Sequence, residues 1–232
     1  MEIIRVAPTK SVPTPFSWSY SRLKAYEDCP KRYHELMVLK NWAEEKTEHL
    51  VWGDAVHKAM ADRLTLGIEL PANMKYQHWI DKVLRTPGEL FVEDQCRYAI
   101  TKAFKPCEWF SPLAWMRAVA DVAVIDDDLA LAVDWKTGKS ANQDPVQLTI
   151  VALMLFIYYP KVLRVRADFI FLQDDAQTSV VIDRHEAADE WVKLLDRAKY
   201  LERATEQQEF PPKPNRFCRS FCPVKSCSYH GK

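Results

Sequence analysis

Three consecutive residues near the middle of the chain carry groups suited to acid–base or metal chemistry. Asp134-Trp135-Lys136 ends the apolar stretch LALAVDWK. Asp134 and Lys136 are two positions apart, so on a β-strand their side chains would point to the same face. A charged pair at the end of a strand in an apolar sheet is costly unless the protein uses it. Because Asp-x-Lys also arises by chance, a plain ion pair is the structural alternative.

A second acid, Asp121, lies inside the preceding apolar stretch MRAVADVAVI, and the acids Asp126–Asp128 follow that stretch. Consecutive acids between two apolar stretches predict a hairpin turn. Pairing through this turn would bring Asp121 close to Asp134, and a divalent cation would remove the repulsion between the two carboxylates. His57, in the helical segment WGDAVH, could supply a third ligand, although a lone histidine on an amphipathic helix is more often structural.

These residue types together suit the hydrolysis of a phosphodiester. Mg²⁺ or Mn²⁺ held by Asp121, Asp134 and His57 would neutralise charge on the scissile phosphate and acidify a water molecule. Lys136 would orient the water, help to deprotonate it, or stabilise the charge of the transition state.

A second group of candidate ligands lies in the tail that begins at Pro211, where three cysteines occur within ten residues. They are Cys218, Cys222 and Cys227. Such spacing in a segment without a strand or helix pattern predicts metal ligands. The fourth ligand would be either His230, which would complete a zinc site, or Cys29 from the other end of the chain. Free thiols are the third alternative, and Cys96 and Cys107 fit buried thiols.

The pattern of apolar residues predicts the elements that would position these groups. The expected helices are one capped by Ser19 and stopped by Pro30, and those over 31–46, 48–66, 145–159 and 186–207. The expected strands are MRAVADVAVI, LALAVDWK, VRADFIFLQ and SVVIDR, and residues 67–110 form a mixed helical region. This order predicts an α/β fold in which helices flank a mixed central sheet.

A chain of 232 residues, 48% of them hydrophobic, is long enough for one domain with a sizeable core. We expect a single domain over 1–232. Its parts would be an irregular arm over 1–18, a helical region over 19–110, a catalytic core over 111–210, and a Cys-rich segment over 211–232.

Composition also limits the class of function. The 32 basic and 32 acidic residues leave no net charge, which neither requires nor excludes a nucleic-acid partner. Only five glycines and no Walker motif are present, which argues against a Gly-rich phosphate loop. The most apolar stretch, Val146–Tyr159, is shorter than the roughly 20 residues of a membrane span. With no secretory signal, we expect a soluble cytoplasmic protein, in the host cytoplasm if it is phage-encoded.

From about Ser17 to Cys227 the chain resembles the RecB-like branch of the PD-(D/E)XK nucleases, which includes phage exonucleases and CRISPR-associated nucleases. SYSRLKAYEDCPKRY resembles the opening helix of that branch, and WGDAVH resembles its Gly-x-x-x-His element. VADVAVI and AVDWKTGK resemble the strands that carry the two metal-binding acids and the lysine. DPVQLTIVAL resembles the helix whose glutamine, here Gln147, contacts the site.

The resemblance implies a metal-dependent DNA exonuclease that acts in recombination, repair or phage DNA processing. The implied catalytic residues are Asp121, Asp134, Lys136 and Gln147. The implied ligands of Mg²⁺ or Mn²⁺ are His57, Asp121, Asp134 and the carbonyl of Trp135. Two departures, Val151 where an aromatic residue is usual and Ala120 beside the first acid, leave the substrate preference open.

The iron–sulfur members of this branch place one cysteine in the opening Cys-Pro helix and three near the C-terminus. The resemblance therefore implies a 4Fe–4S cluster on Cys29, Cys218, Cys222 and Cys227, with zinc as the alternative. The implied partner is DNA, with single-stranded or frayed ends favoured, and a helicase or recombinase would have to open a duplex. A catalytically silent nucleic-acid-binding subunit of a repair or CRISPR adaptation complex is the competing hypothesis, and both a monomer and a toroidal trimer are compatible with the sequence.

Overall fold

The computed structural model describes residues 16–43, 47–139 and 143–232, in which a mixed sheet lies between helices. The helices are α1 (Tyr20–Asp28), α2 (Pro30–Tyr33), α3 (Glu48–Leu66), α4 (Gln77–Arg85), α5 (Val146–Tyr158) and α6 (Ala187–Gln207). The strands are β1 (Glu89–Val92), β2 (Arg97–Ile100), β3 (Met116–Val119), β4 (Val122–Asp126), β5 (Leu129–Lys136), β6 (Arg164–Phe171) and β7 (Ala176–Asp183). A π-helical turn spans His34–Val38, and short 3₁₀ turns span Glu93–Cys96 and Arg184–Glu186.

The main sheet has five strands in the order β1-β4-β5-β6-β7, and β2 and β3 form a separate antiparallel pair. Only the β5–β6 pair is parallel in the main sheet, because α5 forms the crossover between these strands. One face of the sheet packs against α5, α6 and α1, and the other packs against α3 and α4. The predicted fold, a mixed sheet flanked by helices, is confirmed.

The predicted acidic hairpin is also present. β4 and β5 pair antiparallel from Val122↔Val133 to Asp126↔Leu129, which leaves Asp127 and Asp128 as the turn. Asp127 has a positive φ of 31°. Aspartate tolerates that left-handed region better than most residues, which explains why the turn is acidic.

Three expectations about secondary structure are wrong. MRAVADVAVI forms two strands, with a break at Ala120 and Asp121 between β3 and β4. Residues 89–92 and 97–100 are strands within the region expected to be helical, and they pair with β4 and β3 far along the chain. The helix expected over 31–46 ends by Val38, and residues 44–46 lie outside the described residues, as do 1–15 of the expected arm.

Helix α5 lies in the core, and every residue from Leu148 to Phe156 is buried. Its apolar character on all sides therefore reflects burial between the sheet and α6, as the sequence predicted. In the part of the chain that the structure describes, no helix has the length and apolarity needed to cross a membrane.

The tail after α6 contains no helix or strand and packs against the C-terminal end of α1. Lys213 Nζ donates to the carbonyl oxygen of Glu27 at 2.6 Å, and Asn215 Nδ2 donates to that of Asp28 at 3.1 Å. Arg197 of α6 joins the same region, because its guanidinium pairs with Glu27 at 2.7 Å and with Asp144 at 2.9 Å. The two ends of the described chain are thus in direct contact.

Candidate active site

The break between β3 and β4 positions Asp121 at the end of the hairpin. Its main-chain N–H donates to Val133 O at 3.1 Å, which continues the ladder by one bond beyond the last β4–β5 pair. Its carboxylate then accepts the main-chain N–H of Trp135, with Oδ2 2.6 Å from the nitrogen. The side chain of Asp121 thus occupies the place of a strand partner beside Asp134-Trp135-Lys136.

His57 reaches this carboxylate from α3, with Nδ1 3.0 Å from Asp121 Oδ1. Helix α3 can lie this close to the strand because residue 53 is glycine. A Cβ at Gly53 would lie 3.2 Å from the hydroxyl oxygen of Thr137, tighter than most such contacts. Gly53 and His57 are one helical turn apart, so the same face of α3 provides both the close approach to the strand and the candidate ligand.

Glu93 is a further member of the site that the sequence reading missed. It begins the 3₁₀ turn after β1, and its main-chain N–H donates to Asp121 O at 2.9 Å. His57, Glu93 and Asp121 each offer one potential ligand atom, and these three atoms lie within 4.8 Å of one another. No other such set of three occurs among the described residues. The sequence signal was weak: an acid after a four-residue strand that depends on distant pairing.

Asp134 and Lys136 lie together beside this set, and Gln147 of α5 joins them. Lys136 Nζ is 2.6 Å from Asp134 Oδ2 and donates to Gln147 Oε1 at 3.1 Å. Gln147 Nε2 donates to Asp134 Oδ1 at 2.7 Å. Asp134 Oδ2 is buried and, apart from the lysine charge, has no partner in hydrogen-bond geometry. The three side chains therefore form a closed triangle, in which Asp134 Oδ2 contacts the charge of Lys136 and accepts no hydrogen bond.

The electrostatics show that this crowded group of acids is not neutralised within the protein. Burial, together with the charge of Asp121, raises the pKa of Asp134 to about 6, although Lys136 opposes the shift. Burial and the charge of Asp121 also raise the pKa of Glu93. Burial opposes the charged imidazolium of His57, but the surrounding carboxylates outweigh it and raise its pKa. A bound cation would relieve all three effects.

The indole ring of Trp135 is buried, so only its main chain faces the site. Trp135 lies beyond the last β4–β5 pair, and its main-chain N–H donates to the carboxylate of Asp121. Val151, one turn after Gln147, is buried in the core cluster. That position therefore contributes packing and no polar group to the site.

The four expected ligands of the second centre come from both ends of the chain and line one small cavity together with His230. Cys29 is buried, and the other three, Cys218, Cys222 and Cys227, are half-buried. Two of the sulfurs accept main-chain N–H groups: Cys29 Sγ from Lys213 and Cys218 Sγ from Asn215, each at 3.4 Å. Cys96 is buried elsewhere, where burial raises the pKa of its thiol to about 12. Cys107 likewise lies outside the cavity.

Comparison with known proteins gives a family match over most of the chain. The model of the PD-(D/E)XK nuclease superfamily matches residues 17–227. The crystal structure of SSO0001 is similar at a TM-score of 0.45 and 14% identity, over 92% of this chain and 86% of that one. A candidate exonuclease from Eubacterium rectale is similar at 0.49 and 15%, over 90% and 88%. No curated protein matches the chain. Both structural scores are below 0.5, so the assignment rests on the family match.

Proposed function

Since the chain belongs to the PD-(D/E)XK nuclease superfamily, we propose that it is a Mg²⁺- or Mn²⁺-dependent DNA exonuclease of the RecB-like branch. The observation that carries the proposal is the meeting of two side-chain groups at the end of β5. One is His57, Glu93 and Asp121, and the other is the triangle of Asp134, Lys136 and Gln147.

The donor atoms fit a hard divalent cation. Carboxylates dominate the set, with one imidazole and the carbonyl of Trp135 as further candidates, and oxygen-rich sites favour Mg²⁺ and Mn²⁺. The buried oxygen of Asp134 that lacks a hydrogen bond and the raised pKa values of Asp134 and Glu93 support this fit. A cation there would neutralise charge on the scissile phosphate and acidify a water molecule.

The residues of the triangle have separate roles in this mechanism. Lys136 is held by two acceptors, so its ammonium is directed to one place, where it would orient the attacking water or stabilise negative charge on the oxygens of the transition state. Gln147 fixes the distance between Lys136 and Asp134 by bonding both. His57 holds the carboxylate of Asp121 in place, and the main-chain N–H of Glu93 holds the main-chain carbonyl of the same residue.

We also propose a 4Fe–4S cluster on Cys29, Cys218, Cys222 and Cys227. Zinc–sulfur bonds of about 2.3 Å would place tetrahedral ligands roughly 3.8 Å apart. Among the described residues, no three of these sulfurs come within 4.8 Å of one another. The four sulfurs line one cavity and come from both ends of the chain, which is the ligand arrangement that the resemblance implies for the cluster, and zinc is the alternative that metal analysis would distinguish. The cluster would be structural, because hydrolysis needs no redox step.

The proposed setting is DNA recombination, repair or phage DNA processing inside a cell. The chain has no Walker motif, so a helicase or recombinase partner would have to supply single-stranded or frayed ends. The chain would act as one domain over 1–232, with the Cys-rich segment 211–232 closing onto α1.

The test is cleavage of end-labelled single-stranded, double-stranded and circular single-stranded DNA, with and without Mn²⁺. We expect metal-dependent loss of linear DNA and no loss of circles. Lys136→Ala and Asp134→Ala should slow cleavage by about 10²–10⁴-fold. The matched controls are Lys161→Ala and Asp128→Ala, both on the exposed surface. Cleavage by Lys136→Ala at the wild-type rate would refute the assignment, and DNA binding without any cleavage would favour a silent binding subunit.

A further inference from the structure

Two cavities flank the proposed active site, and they differ in charge. The larger, about 780 Å³, opens at His57 and Glu93. Its wall also carries Asp54, Asp62 and Asp94, so acids outnumber bases. The other, about 520 Å³, opens at Gln147. Its wall contains no acid and two arginines, so of these two cavities only this one attracts an anion.

The two arginines come from different elements and lie close together. Arg22 of α1 donates to the carbonyl oxygen of Ser17 at 2.9 Å, and Arg117 of β3 donates to that of Trp109 at 2.7 Å. A second nitrogen of Arg117 contacts the hydroxyl of Ser17. Burial and the neighbouring charge of Arg22 lower the pKa of Arg117, as expected for two like charges in a half-buried cleft.

Neither guanidinium has a carboxylate within ion-pair distance among the residues described. Two arginines of β6, by contrast, are paired: Arg164 with Asp183 and Arg166 with Asp168. Two adjacent guanidinium groups without a counter-charge form a ready site for a phosphate, which accepts bonds from both.

An aromatic surface borders the same cleft. The guanidinium of Arg117 lies 5.8 Å from the ring centre of Trp109, which is half-exposed. Phe110, the next residue, is 85% exposed, which is unusual for a large apolar side chain. Aromatic rings beside a basic groove are the usual means of holding unpaired bases. The volume of the cavity suits a nucleotide-sized group, not a duplex.

We propose that Arg22, Arg117 and Trp109 form a subsite for single-stranded DNA, in which the arginines bind a backbone phosphate next to the scissile one and Trp109 stacks on a base. The inference rests on the proposed function, because it takes Gln147 as part of the active site. The strand leaves the active site on the arginine side, since the acidic cavity on the other side repels further phosphates. A DNA strand that extends from the active site in one direction only must have its end at the active site.

The test is fluorescence anisotropy with a labelled oligothymidylate in EDTA, where no cleavage occurs. Arg22→Gln should weaken binding about tenfold, the loss of one charge-assisted contact. It should also reduce the slope of log Kd against log salt by about 0.7, the value for one phosphate on a single strand. Arg85→Gln, which removes an exposed arginine of α4, is the control and should change neither.

Arg117→Gln should act like Arg22→Gln. If thermal melting shows that this variant is unfolded, Arg117→Lys keeps the charge without the planar fork and should lose part of the affinity. Unchanged affinity and salt slope in a folded Arg22→Gln protein, or a wild-type protein that does not bind the oligonucleotide, would overturn the subsite. Because binding is measured without metal, failure to cleave DNA would count against the nuclease proposal alone.

Discussion

Replacing Glu93 by glutamine should have opposite effects on the stability of the metal-free protein and on its affinity for metal. Ligand atoms of Glu93 and Asp121 lie within 4.8 Å of each other. At an effective dielectric constant of about 20, two unit charges at that distance repel by roughly 3 kcal/mol. His57 and solvent offset part of this repulsion. We therefore expect Glu93→Gln to stabilise the metal-free protein by about 1 kcal/mol.

The same substitution removes a charged ligand, so the Kd for Mn²⁺ should rise at least about tenfold, or roughly 1.4 kcal/mol. Urea unfolding in EDTA measures the first effect, and isothermal titration calorimetry measures the second. Glu89→Gln is the matched control, since Glu89 is an exposed acid on β1, the strand that directly precedes Glu93. If Glu93→Gln destabilises the metal-free protein and binds Mn²⁺ as tightly as the wild type, Glu93 is a structural residue and the reasoning is wrong.

Two further outcomes can be measured on the same preparations. The pKa of Asp134 is raised to about 6, and those of Glu93 and His57 are raised as well, so protons compete with the cation. The Kd for Mn²⁺ should therefore increase as the pH falls from about 7.5 to about 5.5, and equal calorimetric values at both would contradict this. Anaerobically purified protein should contain about four irons per chain. Cys29→Ser should lose the iron and lower the melting temperature, while His230→Ala should keep the iron and the wild-type melting temperature. About one zinc per chain, together with a lower melting temperature in His230→Ala, would contradict the cluster.

The sequence predicted what depends on short-range pattern. The acidic turn, the two strands beside it and the apolar helix α5 all follow from residues close together in the chain. Asp121, Asp134 and Lys136 could be placed on one hairpin because the turn between the strands was readable. His57 was a candidate ligand from its residue type alone, whereas the family resemblance, and not periodicity, directed attention to Gln147.

What the sequence did not predict depends on pairing between distant segments. β1 is four residues long, and it is a strand because it pairs with β4, more than twenty residues later. Glu93 follows β1 directly, so missing the strand meant missing the acid. The cleft of Arg22 and Arg117 joins α1 to β3, and neither arginine stands out in its local sequence.

The contact between the two chain ends also has a consequence for how the protein is made. Asn215 bonds to Asp28 across 187 positions, and Lys213 bonds to Cys29 across 184. A ribosome builds the chain from the N-terminus, so α1 emerges long before the segment that covers its end. Until α6 and residues 211–215 have been made, Glu27 lacks Arg197 and Cys29 lacks the N–H of Lys213. A nascent chain interrupted before residue 197 would thus lack the ion pairs from α6 to Glu27 and to Asp144, the residue that precedes α5 and Gln147.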